Sequence, residues 1–295
     1  LIFICQTSFS SDIIIEAEKV DVKNKGNSII ASGSVNIKDG DILKITSDQA
    51  QYDKINKILE VNGNIIMHDV QKNYRIISEK VIFDRNNKII NSFGNSSFIF
   101  LDKNNEDINF KVSGENSIFN QDKKILEIEN NVILEDLLND YTIYSDKIIY
   151  DIKKDIIKSV DKTKINYKDN LLVNTRDFFF NKGLKIFRSN KNTEIIDIDN
   201  NKFEISNFEF NLENKIFKGK KIKENDEDNN ILEFENGLVN LNSNELIGSD
   251  FNFNFNKNSF GNPENDPRLI GRYVITNKSS TNMKKSTFTT CKKID

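Results

Sequence analysis

Tryptophan is absent from these 295 residues, histidine occurs once, and cysteine and proline occur twice each. Each scarcity excludes something. With His68 alone, neither a Ser-His-Asp triad nor a histidine-rich zinc site of the usual kinds can be assembled. Its neighbour Asp69 would face the opposite side of a strand, so His68 reads as an exposed turn residue. Cys5 and Cys291, near opposite ends, make neither a disulfide scaffold nor a CxxC metal pair. Pro263 and Pro267 share one short stretch, which leaves the rest of the chain free to form paired strands. Neither sign of charge dominates: 42 basic and 45 acidic side chains leave a formal net charge of -3. The charges interleave, so the footprint of a nucleic-acid binder is missing. No stretch approaches the roughly 20 apolar residues of a membrane-spanning helix.

Catalytic signatures are missing as well. There is no phosphate-cradling glycine loop, and nothing selects a carboxylate pair for sugar hydrolysis. The run Asn225-Asp226-Glu227-Asp228-Asn229 lacks the spaced acids, glycine and terminal glutamate of an EF-hand loop and reads as a solvated hairpin loop. The expectation is a protein that is not an enzyme, with no catalytic residue, metal site or cofactor.

What is present is Ile, Val, Leu and Phe in short bursts, punctuated by Asn, Asp, Lys and Gly. Such side chains suit a pleated, half-buried surface, and alternation places Phe251, Phe253 and Phe255 on one face with Asn252, Asn254 and Asn256 on the other. The bursts repeat. Ser47-Asp48-Gln49-Ala50-Gln51-Tyr52-Asp53 is echoed by Ser78-Glu79-Lys80-Val81-Ile82-Phe83-Asp84 and by Ser145-Asp146-Lys147-Ile148-Ile149-Tyr150-Asp151. Weaker copies begin at Ala17, Ser113, Thr175 and Ile205. The anchors Val22, Tyr52, Phe83, Phe119, Tyr150, Phe180 and Phe210 recur about every 30 residues, with one longer gap, as stacked supersecondary units do. After each anchor comes a polar turn such as Asp53-Lys54-Ile55-Asn56-Lys57, then a second strand, Asn62-Gly63-Asn64 and a third apolar burst. The Ser-Asp/Glu element reads as a bend in which a short side chain bonds nearby backbone. The pattern predicts an all-β fold, an elongated open β-jellyroll of stacked, degenerate repeats of about 30 residues.

Residues 1–11, an apolar run followed by small polar residues, look like the remnant of a secretory signal, so export is expected. Residues 12–257 carry the repeats, 258–270 break the alternation with both prolines and read as a linker, and 271–295 read as the start of a further, truncated β-barrel domain. Inward alternate positions nominate Ile15, Ala17, Val35, Ile37, Ala50, Tyr52, Val61, Ile65 and Phe83 as a greasy groove. An acyl chain in it would gain about 0.8 kcal/mol per buried methylene, and unpaired strand edges would suit strand addition by a partner of the same type. A dry core with no cargo is the alternative that pattern alone leaves open.

The phrases Ile15-Glu16-Ala17-Glu18-Lys19-Val20, Ile30-Ala31-Ser32-Gly33-Ser34-Val35-Asn36-Ile37 and Ser47-Asp48-Gln49-Ala50-Gln51-Tyr52-Asp53 resemble the OstA-like (organic solvent tolerance-like) domain of Gram-negative lipopolysaccharide transport proteins. Asn265-Asp266-Pro267-Arg268-Leu269-Ile270-Gly271-Arg272, with Phe288-Thr289-Thr290-Cys291, resembles the junction between periplasmic region and barrel in the LptD family of outer-membrane assembly proteins, in its alphaproteobacterial form. The resemblance implies a jellyroll at the periplasmic face of the cell outer membrane that carries lipopolysaccharide with its acyl chains inside. Implied partners are a periplasmic bridge protein of the same fold, joined by edge-strand addition, and an outer-membrane lipoprotein plug acting through the missing barrel. The competing class is a structural or adhesive periplasmic β-solenoid without lipid cargo.

Overall fold

The computed structural model describes residues 13–40, 42–102, 107–168, 171–196, 202–225, 228–243, 245–262, 264–277 and 279–292. The expected signal remnant, 1–11, lies outside them. Apart from two short 3-10 turns, the regular structure among the described residues is antiparallel strand. The chain divides into two compact units, Leu1–Asn139 and Asp140–Asp295.

The first unit runs β1 (Ile13–Glu16), β2 (Lys19–Lys23), β3 (Ser28–Asp39), β4 (Leu43–Asp53), β5 (Ile58–Asp69), β6 (Tyr74–Asp84), β7 (Ile89–Leu101), β8 (Ile108–Asn120) and β9 (Ile125–Asp136). From β3 onward each strand pairs with its successor. β1 and β2 lie end to end along the two halves of β3. The turns explain the meander. At the end of β4, Asp53 Oδ1 accepts from the backbone N–H groups of Ile55 and Asn56 at 2.9 and 3.0 Å. Asp84 and Asn120 do the same for Asn87 and Lys123. Each loop then closes on a lysine in the left-handed region, at Lys57, Lys88 and Lys124. This is Asx-turn chemistry, and it fixes the register of these three hairpins.

Each long strand also breaks register once near its middle, for example between Ser32 and Val35, Thr46 and Gln49, and Ile77 and Lys80. A residue inserted into one strand bends it and disrupts the ladder locally. Burial follows: in β4 the buried positions are Leu43, Ile45 and Ser47 before the break and Ala50 and Tyr52 after it. The one-residue phase change keeps the same face inward on both sides of the bend. Because the bends align, the sheet folds along a crease into two half-sheets that enclose an apolar interior.

A recurring latch holds the crease. Asp48 accepts from Asn64 Nδ2 at 2.9 Å, Glu79 from Asn95 Nδ2 at 3.0 Å, and Glu115 from Asn131 Nδ2 at 2.9 Å, each pair 16 residues apart. Glu18 and Ser34 Oγ repeat it at 3.1 Å. Beside these amides, Gly63 and Gly94 adopt φ of 78° and 76°, and the acid's side chain lies over the face where a Cβ would stand. The bend also leaves backbone carbonyls without ladder partners in a dry interior, where an unmet polar group is costly. Buried hydroxyls meet them: Ser78 Oγ donates toward Phe93 O at 2.7 Å, and Ser47 Oγ bonds Gln49 O at 3.1 Å. The Ser-Asp/Glu repeat is therefore scaffold, as its spacing suggested.

The second unit continues the plan with β10 (Tyr141–Asp151), β11 (Ile156–Tyr167), β12 (Leu171–Arg176), β13 (Phe179–Asn181), β14 (Ile186–Ser189), β15 (Thr193–Ile196), β16 (Lys202–Asn211), β17 (Ile216–Asn225), β18 (Ile231–Asn240), β19 (Glu245–Asn254), β20 (Arg268–Thr276) and β21 (Thr281–Thr289). Here the crease sometimes cuts a strand in two. β13 and β12 pair end to end with β11, and β14 and β15 with β16. Further along, crease hydroxyls give way to glycine, with Gly219, Gly237 and Gly248 in cross-strand register. The ring of Phe234 and the methyls of Ile205 and Ile222 occupy the space that side chains would need there.

Two features differ from the sequence expectations. His68 is not in a turn; it stands half-buried in β5, opposite Lys44 and Arg75. The stretch 258–270 is less a linker than a bend: residues Lys257–Phe260 form a 3-10 turn, and Arg268 already enters β20. β20 then pairs with β19 from Leu246–Thr276 to Asn254–Arg268, so residues 271–289 extend the second unit's sheet. The observed division falls at Asn139, where the repeat pattern gave no signal. Part of the acidic run, 226–227, lies outside the described residues.

Candidate lipid-binding interior

Of the nominated groove positions, Val35, Ile37, Ala50, Tyr52, Val61, Ile65 and Phe83 are buried, and Ile15 and Ala17 are half-buried. The register gathers most of them into cross-strand rows: Ile15 faces Ile37, which faces Ile45; Ala50 faces Val61, which faces Val81; and Tyr52 faces Leu59, which faces Phe83. Together with Met67 and Ile76 they pack the inner faces of the two half-sheets. Ile65 is 0% exposed, while its outward neighbour Ile66 is 46% exposed. The middle of this interior is closed by its own side chains.

The covering fails at the first strand. Val20 and Val22 pair with Ala31 and Ile29 and so belong to the inner face, yet they are 45% and 63% exposed. Beyond β2 the half-sheets have no further strand among the described residues, which leaves an apolar mouth and an unpaired edge together.

In the second unit the interior is aromatic. Phe180, Phe187, Phe210 and Phe217 occupy successive register positions across four strands, with centroid separations of 4.1, 6.4 and 4.0 Å. Leu171, Ile195, Phe203, Ile205, Phe217, Val239 and Leu241 line an apolar cavity of about 10 Å³. At the last strands the inner face opens again: Phe253, Phe255, Phe260 and Phe288 form one ring cluster, and Phe288 is 49% exposed. A larger cleft of about 560 Å³ is lined mainly by polar side chains such as Glu204, Lys223, Glu233 and Asn252, which does not suit an acyl chain.

On the outer face of the second unit a carboxylate sits between two cations. Glu209 receives Arg188 Nε and Lys218 Nζ, both at 2.6 Å. Partial burial works against its charge, but the two cations outweigh this and hold its carboxyl below the ordinary value. Among the described residues no cluster of His, Cys, Asp and Glu is arranged to hold a metal, and Cys291 is a free, exposed thiol. Sequence reasoning missed the aromatic interior of the second unit, although most of the 22 phenylalanines lie beyond Asn139. It also missed the polar side chains Asp39, Arg85, Tyr74 and Gln121, which meet across the first unit's interior.

Two family models match. Residues 11–93 match the OstA-like protein family, and residues 60–187 match the family described as lipopolysaccharide-assembly, LptC-related. No curated relative matches the chain. Among solved structures, the crystal structure of LptH, the LptA-homologous periplasmic component of the conserved lipopolysaccharide transport device from Pseudomonas aeruginosa, aligns over 51% of this chain and 82% of its own. The identity is 14% and the TM-score 0.28. The two matches overlap at 60–93, the OstA-like likeness ending there and the LptC-related likeness running on to 187.

Proposed function

We propose that this chain is a periplasmic lipid carrier of the lipopolysaccharide transport pathway, holding acyl chains between its half-sheets while sugars stay outside. The observation that carries the reading is the folded sheet itself. Inner rows are apolar apart from the hydroxyls at the crease, outer rows mix polar side chains with exposed apolar ones such as Ile66, and the inner face is exposed at Val20 and Val22 in the first unit and at Phe288 in the second. An acyl chain laid against Val20, Val22 and Ile29 takes apolar surface out of water at both partners. The matched OstA-like and LptC-related sequence supports lipopolysaccharide as the cargo. The finer assignment is the LptD type, in which β20 and β21 lead toward an outer-membrane barrel with its lipoprotein plug. It is supported by the likeness of residues 265–272 and 288–291 to that junction. The exposed edge at β1 and β2 suits strand addition by a bridge protein of the same fold.

The closed middle of the first unit favours one competing reading, a structural solenoid whose inner residues are only core. Binding separates the two. Purified chain incubated with lipopolysaccharide should retain lipid through gel filtration, and Val61→Asp should lower the retained amount at least several-fold, because a carboxylate among acyl chains is poorly solvated. Ile66→Asp, on the outer face, should leave it unchanged. No retained lipid with the parent chain, or equal retention by both variants, would favour the solenoid.

A further inference from the structure

In the first unit, one long side of the interior is the crease and the other is a seam where, among the described residues, the half-sheets meet through side chains. Arg85, in the turn after β6, places Nε and Nη2 on the Asp39 carboxylate at 2.9 and 2.8 Å and Nη1 on the Tyr52 hydroxyl at 2.9 Å. Gln121, in the turn after β8, donates from Nε2 to the Tyr74 hydroxyl at 2.9 Å. Asp39 and Tyr74 belong to one half-sheet, and Arg85, Tyr52 and Gln121 to the other, with sequence separations of 46 and 47 across the two clasps. We infer that this seam is the gate through which lipid enters the first unit, and that Arg85 with Asp39 and Tyr52 is its principal clasp.

The inference rests on the lipid-carrying reading and deepens it. Ile65, Val61 and Met67 are sealed from solvent, so cargo reaches them only if the half-sheets part. The crease is continuous chain held by the acid–amide latches, and the ladder from β3 to β9 is unbroken except at the bends. Among the described residues, parting the seam breaks side-chain bonds alone. The Arg85 and Asp39 side chains are 14% and 16% exposed, a mostly buried bidentate pair that holds the seam while it is closed and regains water at both charges as it parts. Opening an empty interior would expose its apolar rows, which keeps the unloaded seam shut. An acyl chain that covers those rows shifts the balance toward the open form. Entry and cargo are thereby coupled.

The test uses the full chain with Cys5→Ser and Cys291→Ser. A thiol reagent should label Ala50→Cys, a buried inward position beside Tyr52, about tenfold faster once Arg85→Gln is added, with Arg85→Lys intermediate. Separately, Asp39→Cys/Arg85→Cys joined by a cleavable bismaleimide should take up the fluorescent fatty acid cis-parinaric acid at least about tenfold more slowly, and recover on cleavage. Equal labelling with and without Arg85→Gln, or equal uptake by joined and cleaved chains, overturns the gate. A parent chain that binds no fatty acid overturns the lipid reading instead, and the labelling result then decides by itself whether the seam opens. If Arg85→Gln fails to fold, the joined chain still decides.

Discussion

Gly63→Ala probes the crease on which the enclosed interior depends. Gly63 sits at φ 78°, and an added Cβ would lie 2.3 Å from Asp48 Oδ2 and 2.9 Å from its Cγ. Two costs follow. Holding alanine in the left-handed region costs about 1–2 kcal/mol. Asp48 must also swing away, losing its bond from Asn64 Nδ2, which at an exposed position is worth about 1 kcal/mol. The sum is about 2–3 kcal/mol. Gly26 supplies the control: its φ is 93° and nothing stands within 4 Å of a built Cβ, so Gly26→Ala should cost the backbone part only, about 1–2 kcal/mol. Urea unfolding followed by circular dichroism reads both as shifts in midpoint at constant slope. Adding Asp48→Ala should cost Gly63→Ala less than it costs the parent, since the acid no longer clashes. Equal losses for Gly63→Ala and Gly26→Ala, with no coupling to Asp48, would refute the latch.

Other expectations follow from the same packing. Ser92 and Ser117 share a buried hydroxyl bond, so Ser92→Ala should cost about 1–3 kcal/mol by leaving Ser117 unmet, and the double alanine variant should cost less than twice that; thermal denaturation of the three variants checks it. Phe180→Ala, which removes a ring 4.1 Å from Phe187, should destabilise the second unit by about 3–5 kcal/mol in urea titration. Glu209 has a folded-state carboxyl below its ordinary value, so its stabilisation is complete above the unfolded pKa and fades as pH falls through the folded one. Glu209→Gln should therefore cost about 0.5–1 kcal/mol at neutral pH, discounted for exposed cations, with the gap to the parent closing in acid; a gap that widens as pH falls would contradict the sign.

Much of this fold was legible because its determinants are local. Asp53, Asp84 and Asn120 cap turns within three residues, and the alternation at Leu43 and Ile45, and again at Ala50 and Tyr52 beyond the bulge, assigns faces within each half-strand. The acid–amide latches were half legible. Asp48 and Gly63-Asn64 each stood out as repeat elements, but their pairing at a separation of 16 needs the hairpin register first. The seam was not legible: Asp39 and Arg85 lie 46 residues apart, and each alone looks like an ordinary turn residue. His68 was misplaced because the strand that carries Met67 runs on through His68 to Asp69 before it turns. The apparent linker was misread because Pro267 accepts a bond from Phe255 N–H and so leads straight back into the sheet.

A photo-activated amino acid at Ile65, compared with one at Ile66, tests the central claim most directly. The two positions are adjacent in β5 and face opposite sides of the sheet. In cells making lipopolysaccharide, the inward probe should crosslink to it and the outward probe should not. Equal crosslinking at both, or none at Ile65 in a folded chain at parent abundance, would contradict a lipid-carrying interior.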